Sequence, residues 1–146
     1  MTVSQNKTDG LLKPFAVVAI ASLIFYAVGF SWIQHRRSAR GPWQVEFRAS
    51  AGGVPSLVIS QTNLNVFETI VFPTNKVSAQ NLPRTVRFEP NATNIPFGEL
   101  KYQDSMYLPG TVTLELFGHE VELIPRVLKI DAGEYSWQSG GTLEVH

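Results

Sequence analysis

An uncharged apolar run over residues 15–33 constrains this chain more than any other feature of its sequence. As a helix that rises ~1.5 Å per residue, the run would span roughly 28 Å, close to the hydrocarbon thickness of a bilayer. The run is longer than the ~7–15 apolar residues of a cleaved signal peptide, and no small-residue cleavage pattern follows it. The sequence therefore predicts one transmembrane signal-anchor helix that stays on the mature protein.

The rest of the chain is organised around this helix. We expect an N-terminal tail over residues 1–14, a basic juxtamembrane hinge over 34–42 that ends in Gly41-Pro42, and a folded domain over 43–146. A domain of roughly 105 residues is large enough for one hydrophobic core. The chain contains no Cys, which excludes a disulfide scaffold and a thiol nucleophile.

The formal net charge of zero hides two regions of opposite sign. Residues 1–40 carry five basic residues against one acidic residue, a net charge of +4. Residues 41–146 carry seven basic residues against eleven acidic residues, a net charge of −4. Basic side chains beside a membrane helix suit anionic lipid headgroups, and we assign Arg36, Arg37 and Arg40 to that contact. The acidic domain argues against nucleic acid as a partner.

The orientation of the helix is contested within the sequence. Three Arg follow the helix and two Lys precede it, so the positive-inside rule alone would place the domain in the cytoplasm. Long C-terminal domains, however, translocate largely regardless of charge. We expect a single-pass membrane protein with an extracytoplasmic domain, which is periplasmic if the cell is bacterial.

One face of the helix carries small or weakly polar residues. Membrane helices approach one another along such stripes. We therefore expect other membrane proteins to contact this helix along the stripe, which consists of Ala19, Ser22, Tyr26 and Gly29.

Short apolar segments, separated by Pro, Gly and Asn, follow one another through the domain. Residues 43–48 and 84–89 alternate apolar and polar side chains, and residues 66–72 are rich in β-branched and aromatic types. No segment after Gly41 repeats with the period of a helix. These patterns predict an all-β domain, an antiparallel β-sandwich or barrel of about eight strands, behind the transmembrane helix.

The clearest local prediction is a β-hairpin around Gly118-His119, where a two-residue loop with Gly first indicates a type II′ turn. This turn would pair Leu116 with Val121 and would place Leu114 and Leu123 on the core face. On the opposite face it would set Glu115 against Glu122. Like charges opposed across a sheet are destabilising.

Four explanations of the Glu115–Glu122 pair stay open. A Lys or Arg of a neighbouring strand, a basic group of a partner, or a hard cation would each compensate the repulsion. Alternatively, the two carboxylates separate into water, where the repulsion is only ~1 kcal/mol. We therefore treat this pair as a possible contact to a partner or a cation.

No residues form a recognisable catalytic, cofactor or metal motif. The three His lie far apart in the sequence, at His35, His119 and His146, and none has a metal-ligand spacing. We therefore expect no enzyme activity, cofactor or metal.

The expected function is that of a membrane-anchored, non-catalytic interaction or assembly module, an accessory subunit of a larger membrane complex. Its partners would be membrane lipid and other membrane proteins, reached through the helix and the β domain. The alternative is an anchored ligand-binding sandwich, for example one that binds carbohydrate through exposed aromatic residues. The candidate aromatic residues are Trp43, Tyr102, Tyr107 and Trp137.

Overall fold

The structure, a computed structural model, describes residues 9–38, 40–90, 94–104 and 106–146. Residues 1–8, most of the predicted N-terminal tail, lie outside this description. The chain divides between Arg37 and Ser38 into two compact units, an N-terminal helix and a C-terminal β domain.

Helix α1 runs from Asp9 to Ser38 and extends beyond the predicted 15–33 at both ends. It includes Pro14 and takes in residues 34–38, so more than half of the predicted hinge is helical. The C-terminal extension follows from the sequence, because Gln and Arg are good helix formers and the first strong helix breakers after residue 33 are Gly41 and Pro42. Over Gly10–Arg36 the helix is long and apolar enough, by length and composition, to cross a bilayer, and its most apolar window is not buried within the chain.

The described residues of the β domain form ten strands, where the sequence predicts about eight. They are β1 (Gln44–Ala49), β2 (Pro55–Gln61), β3 (Val66–Val71), β4 (Arg84–Arg87), β5 (Gly98–Gln103), β6 (Val112–Leu116), β7 (His119–Ile124), β8 (Val127–Ile130), β9 (Gly133–Tyr135) and β10 (Gly141–Glu144). A short 3₁₀ turn, Thr62–Leu64, connects β2 to β3.

The strands form two separate five-stranded sheets. The first has the order β10-β3-β2-β1-β4, and the second is a meander in the order β5-β6-β7-β8-β9. Alternate residues of both sheets contribute to one hydrophobic core. Two sheets with open edges around a shared core favour the sandwich over the closed barrel.

One strand pair departs from the antiparallel prediction, because β10 runs parallel to β3. The chain crosses from the second sheet back to the first over residues 136–140. Along this crossing, the N–H of Gly140 donates to Phe67 O at 2.6 Å, and the N–H of Gln138 donates to the buried Glu68 carboxylate at 3.2 Å. The crossing enters β10 beside the start of β3, which makes the pair parallel.

The β6–β7 hairpin turns one residue earlier than predicted, so the predicted register is wrong. Phe117 and Gly118 form the turn with φ of +55° and +82°, and positive φ at both positions is typical of type I′, not of type II′. Leu116 therefore pairs with His119 instead of Val121. Because the shift is an even number of residues, the predicted core face is kept. The buried residues of this face are Leu114, Leu116, Val121 and Leu123.

Gln61, buried at the end of β2, fixes the start of the domain. Its Nε2 lies 3.0, 2.8 and 3.2 Å from the carbonyl oxygens of Arg40, Gly41 and Pro42. Its Oε1 accepts the N–H of Asn63 at 2.9 Å. One side chain thus holds three consecutive residues of the chain directly before β1.

Candidate functional site

The end of the β domain farthest from residues 40–43 brings together loops of both sheets, and we call it the distal end. Phe72 lies there because its N–H bonds to Pro55 O, and Pro55 pairs with Ala49 at the far end of β1. The β6–β7 and β8–β9 turns of the second sheet also lie there, since alternate turns of a meander share one end. Several loop residues at this end other than Gly have positive φ, among them Phe97, Phe117 and Asp131.

Three Phe rings pack together at the distal end. Phe117 lies 5.2 Å from Phe72 and 5.5 Å from Phe97, measured between ring centroids, and Phe97 lies 5.7 Å from Phe47. Phe97 and Phe117 both have positive φ, at +69° and +55°. Bulky residues rarely adopt this conformation, and such outliers cluster at functional sites. The aromatic packing holds both backbones in place.

His119 and Asp131 connect two turns of the distal end. The Nδ1 of His119 lies 2.9 Å from Asp131 Oδ2, and the N–H of Glu120 donates to Asp131 Oδ1 at 2.9 Å. The His119 contact and the Glu120 N–H hold the pKa of the Asp131 carboxyl below its usual value. The imidazole also lies 6.0 Å from the ring of Phe72.

A carboxylate on Nδ1 is the arrangement that orients a His base or metal ligand. However, no group of three His, Cys, Asp or Glu that could hold a metal is found among the described residues. The His119–Asp131 contact ties the β6–β7 turn to the β8–β9 turn. The sequence interpretation treated His119 only as a turn residue and missed this contact.

A recess of about 290 Å³ lies beside the Phe cluster. Its wall combines apolar side chains, such as Leu82 and Phe97, with the polar residues Gln80 and Arg84. The guanidinium of Arg84 donates to Asn94 O at 3.3 Å. The distal end thus offers a rigid aromatic surface with a small adjoining recess.

The outer face of the second sheet is acidic, but Glu115 and Glu122 do not oppose each other as predicted. In the observed register Glu115 pairs with Glu120 on β7 and with Glu99 on β5, whereas Glu122 pairs with Lys129 on β8. The predicted pair was wrong because it depended on the type II′ turn.

Lys101 compensates the row of carboxylates around Glu115. It lies at a bulge in β5 and forms an ion pair with Glu115. The hydrogen bond that Lys101 donates to the Glu115 carboxylate raises the pKa of Lys101, and the charges of Glu115, Glu99 and Glu120 raise it further. The sequence left open four explanations of how the charge of Glu115 is compensated. The structure contains one of them, a basic residue on the neighbouring strand.

The aromatic residues proposed for carbohydrate binding do not share a surface. Trp43 is fully buried, and its ring centroid lies 5.3 Å from that of Trp137, which packs against the core. Both indole N–H groups donate to backbone carbonyls, that of Trp43 to Gly110 O and that of Trp137 to Ile124 O. Two of the four candidate rings are therefore used inside the domain, while the other two, Tyr102 and Tyr107, are exposed.

On the helix, the predicted stripe lies on the surface. Three of its members, Ser22, Tyr26 and Gly29, line a shallow apolar groove together with neighbours such as Phe25 and Phe30. The fourth member, Ala19, is exposed outside this groove. A Cβ built on Gly29 meets no atom within 4 Å, so this position leaves room for close approach.

The three predicted headgroup residues have different surroundings. The guanidinium of Arg36 lies 4.3 Å from the ring centroid of Trp32, a cation–π contact within the helix. The side chain of Arg37 lies outside the description. Arg40 belongs to the β domain, where its carbonyl accepts from Gln61 and Asn63.

Comparison with known proteins identifies no relative of this chain, since no family model, curated protein or solved structure matches it.

Proposed function

We propose that this chain is a single-pass membrane protein whose β domain is a non-catalytic interaction or assembly module, an accessory subunit of a larger membrane complex. The observation that carries the proposal is the apolar surface of α1. Its exposed side chains include Phe15, Leu23 and Phe25, at 75%, 68% and 82% of their full areas. Burying one such side chain is worth ~1.5–3 kcal/mol, so water is a poor solvent for this helix and lipid a good one.

The assembly role is supported by surfaces of both units. The groove along Ser22, Tyr26 and Gly29 would admit a second helix, because small residues allow close backbone approach. In the β domain, the distal end and the acidic outer face present rigid surfaces to a partner. A basic partner would complement the carboxylates that Lys101 leaves uncompensated.

Membrane insertion is tested by introducing one Arg into α1. Leu23 lies at the middle of the span Gly10–Arg36, where an Arg costs ~2.5–3.5 kcal/mol of insertion free energy. We expect Leu23→Arg to shift the full chain from the carbonate-resistant membrane pellet to the soluble or degraded fraction. The matched control Ile33→Arg, near the end of the span, should stay in the pellet. If carbonate released the parent chain from the membrane pellet to the same extent as both variants, the membrane anchor would be contradicted.

Assembly is tested by photo-cross-linking at single positions of the full chain in membranes. A photoreactive residue at Ser22 should cross-link to another membrane protein, while one at Ile24, on the opposite face of the helix, should react mainly with lipid. Further probes at Glu115 and Gly118 examine the acidic face and the distal end. Lipid adducts alone at Ser22, with no protein adduct at either domain position, would contradict an assembly module.

We also propose that the β domain is extracytoplasmic. Because the chain has no Cys, one introduced thiol reports its side of the membrane. Ala51→Cys, in the exposed β1–β2 turn, should react with an impermeant maleimide in intact cells without an outer barrier, whereas Gly10→Cys should react only after lysis. The reverse pattern would place the domain in the cytoplasm, as the Arg count predicts.

A further inference from the structure

A small polar recess lies at the end of the β domain where the chain leaves residue 40 for β1. It has a volume of about 170 Å³. This is below the ~300–1,000 Å³ of pockets for drug-sized ligands, and it suits a small polar group. The residues around it that have polar side chains are Arg40, Gln44, Ser60, Gln61, Thr62, Asn63 and Arg87.

The recess is positive in character. Two Arg residues, Arg40 and Arg87, line it, and none of the described residues that line it carries a carboxylate. The backbone carbonyls that would repel an anion already accept hydrogen bonds. Gln61 Nε2 donates to three of them, and Asn63 Nδ2 lies 2.7 Å from Arg40 O.

Arg87 is weakly engaged within the domain. Its Nε lies 3.6 Å from Glu89 Oε1, and both side chains are more than half exposed. Charge-assisted hydrogen bonds are shorter, at ~2.7–2.9 Å, so this contact leaves the guanidinium fork available to a better acceptor. Glu89 is the nearby group that competes for it.

We propose that this recess binds a phosphate group, supplied either by an anionic lipid headgroup or by soluble phosphate. Guanidinium forks match the oxygens of a phosphate and bind them in pairs. In the sequence, Arg40 follows Ser38, the last residue of α1, by only two positions. The lipid source, unlike the recess itself, rests on the membrane anchor proposed above.

The test uses the full chain in neutral detergent micelles and three single substitutions. Arg87→Gln removes the guanidinium of the recess, and Arg84→Gln is the matched control, an exposed Arg of the same strand that lines the other recess. Glu89→Gln removes the competing carboxylate. Inorganic phosphate, replacing chloride at constant ionic strength, is titrated against the unfolding midpoint, which rises when a ligand binds the folded state.

We expect Arg87→Gln to raise the apparent Kd for phosphate about tenfold or more, the loss of one charge-assisted contact. Arg84→Gln should leave the Kd within about twofold, since neutralising a distant exposed charge has only a weak, screened effect. Glu89→Gln should lower the Kd. Phosphate also stabilises folded proteins without binding to a site, but this salt effect is the same for all variants and does not change the differences between them. If Arg87 only stabilised the fold, Glu89→Gln would not lower the Kd for phosphate.

The source is identified by adding phosphatidylglycerol or phosphatidylcholine to the micelles and counting bound lipid by native mass spectrometry. Selective loss of phosphatidylglycerol in Arg87→Gln assigns the recess to a headgroup, and loss of the phosphate response alone assigns it to the soluble ion. If Arg87→Gln matches Arg84→Gln with both probes, the proposal is overturned. The phosphate measurement needs no membrane, so its outcome is independent of the Leu23→Arg test of the anchor.

Discussion

Replacing Phe117 separates two opposing contributions to stability in the β6–β7 turn. Its ring contacts those of Phe72 and Phe97, and each aromatic pair is worth ~0.5–1.5 kcal/mol beyond the buried area. With the burial of a ring that packs partly buried against the core, packing contributes about 2–4 kcal/mol to the free energy of unfolding. The backbone at φ +55° opposes this by ~1–2 kcal/mol. Packing outweighs the conformational penalty, so an aromatic residue can occupy this turn.

Two substitutions separate the packing of the Phe117 ring from the penalty of its positive φ. Phe117→Ala removes the ring but keeps a Cβ at positive φ, so we expect it to lower the free energy of unfolding by about 2–4 kcal/mol. Phe117→Gly removes the ring and also the penalty. It should therefore be less destabilising than the Ala variant by about 1 kcal/mol, although its loss of packing is equal.

The measurement is urea denaturation of the full chain in nonionic detergent, followed by intrinsic Trp fluorescence, to which the buried Trp43 and its neighbour Trp137 contribute. Asn65→Gly serves as control, because Asn65 has a similar φ of +53° outside the Phe cluster, and its replacement should have little effect. Equal losses for Phe117→Gly and Phe117→Ala would show that the turn backbone is not strained. Losses near zero for both would refute the argument that the rings hold the turn.

Three further substitutions test the second sheet by the same assay. Leu114→Ala, at a fully buried position, should lower the free energy of unfolding by about 2–5 kcal/mol. Glu115→Lys should change the free energy of unfolding much less at low salt, because it loses the Lys101 ion pair but gains attraction to the carboxylates on both flanking strands. A loss of stability as large as that of Leu114→Ala would show that Glu115 has a structural role. Asp131→Asn should destabilise the protein at neutral pH and matter less in acid. The pKa of Asp131 is lowered on folding, so its contribution is present above about pH 4 and is lost as pH falls through the folded pKa; a difference that does not change between pH 6 and 3 would contradict the His119 contact.

The sequence was sufficient to predict the all-β domain because side-chain alternation in its strands matches their burial. Val45 and Phe47 are buried, for example, while Gln44 and Arg48 are exposed. It was also sufficient for the core face of the β6–β7 hairpin, since any even shift in register leaves that face unchanged. It failed for the cross-strand partners of Glu115, because a one-residue change in turn position alters every pair in the hairpin.

The contacts between distant loops were beyond prediction from local patterns. An aromatic residue is a poor candidate for positive φ, so the local sequence does not mark Phe117 as a turn residue; its packing against Phe72, a distant residue, stabilises it there. The His119–Asp131 contact required knowledge that both turns lie at one end of the meander. That topology could have been anticipated from successive hairpins, since alternate turns of a meander fall on the same side.

The clamp formed by Gln61 determines how the β domain responds to mechanical tension. A pulling force applied at Arg40 along the axis of β1 reaches the central strand β2 through the amide of Gln61, as well as β1 itself. Because β1 lies between β2 and β4, such a force loads both ladders in shear, and their hydrogen bonds must break together instead of one after another. The domain therefore resists being peeled open by a force applied at its N-terminal end along β1.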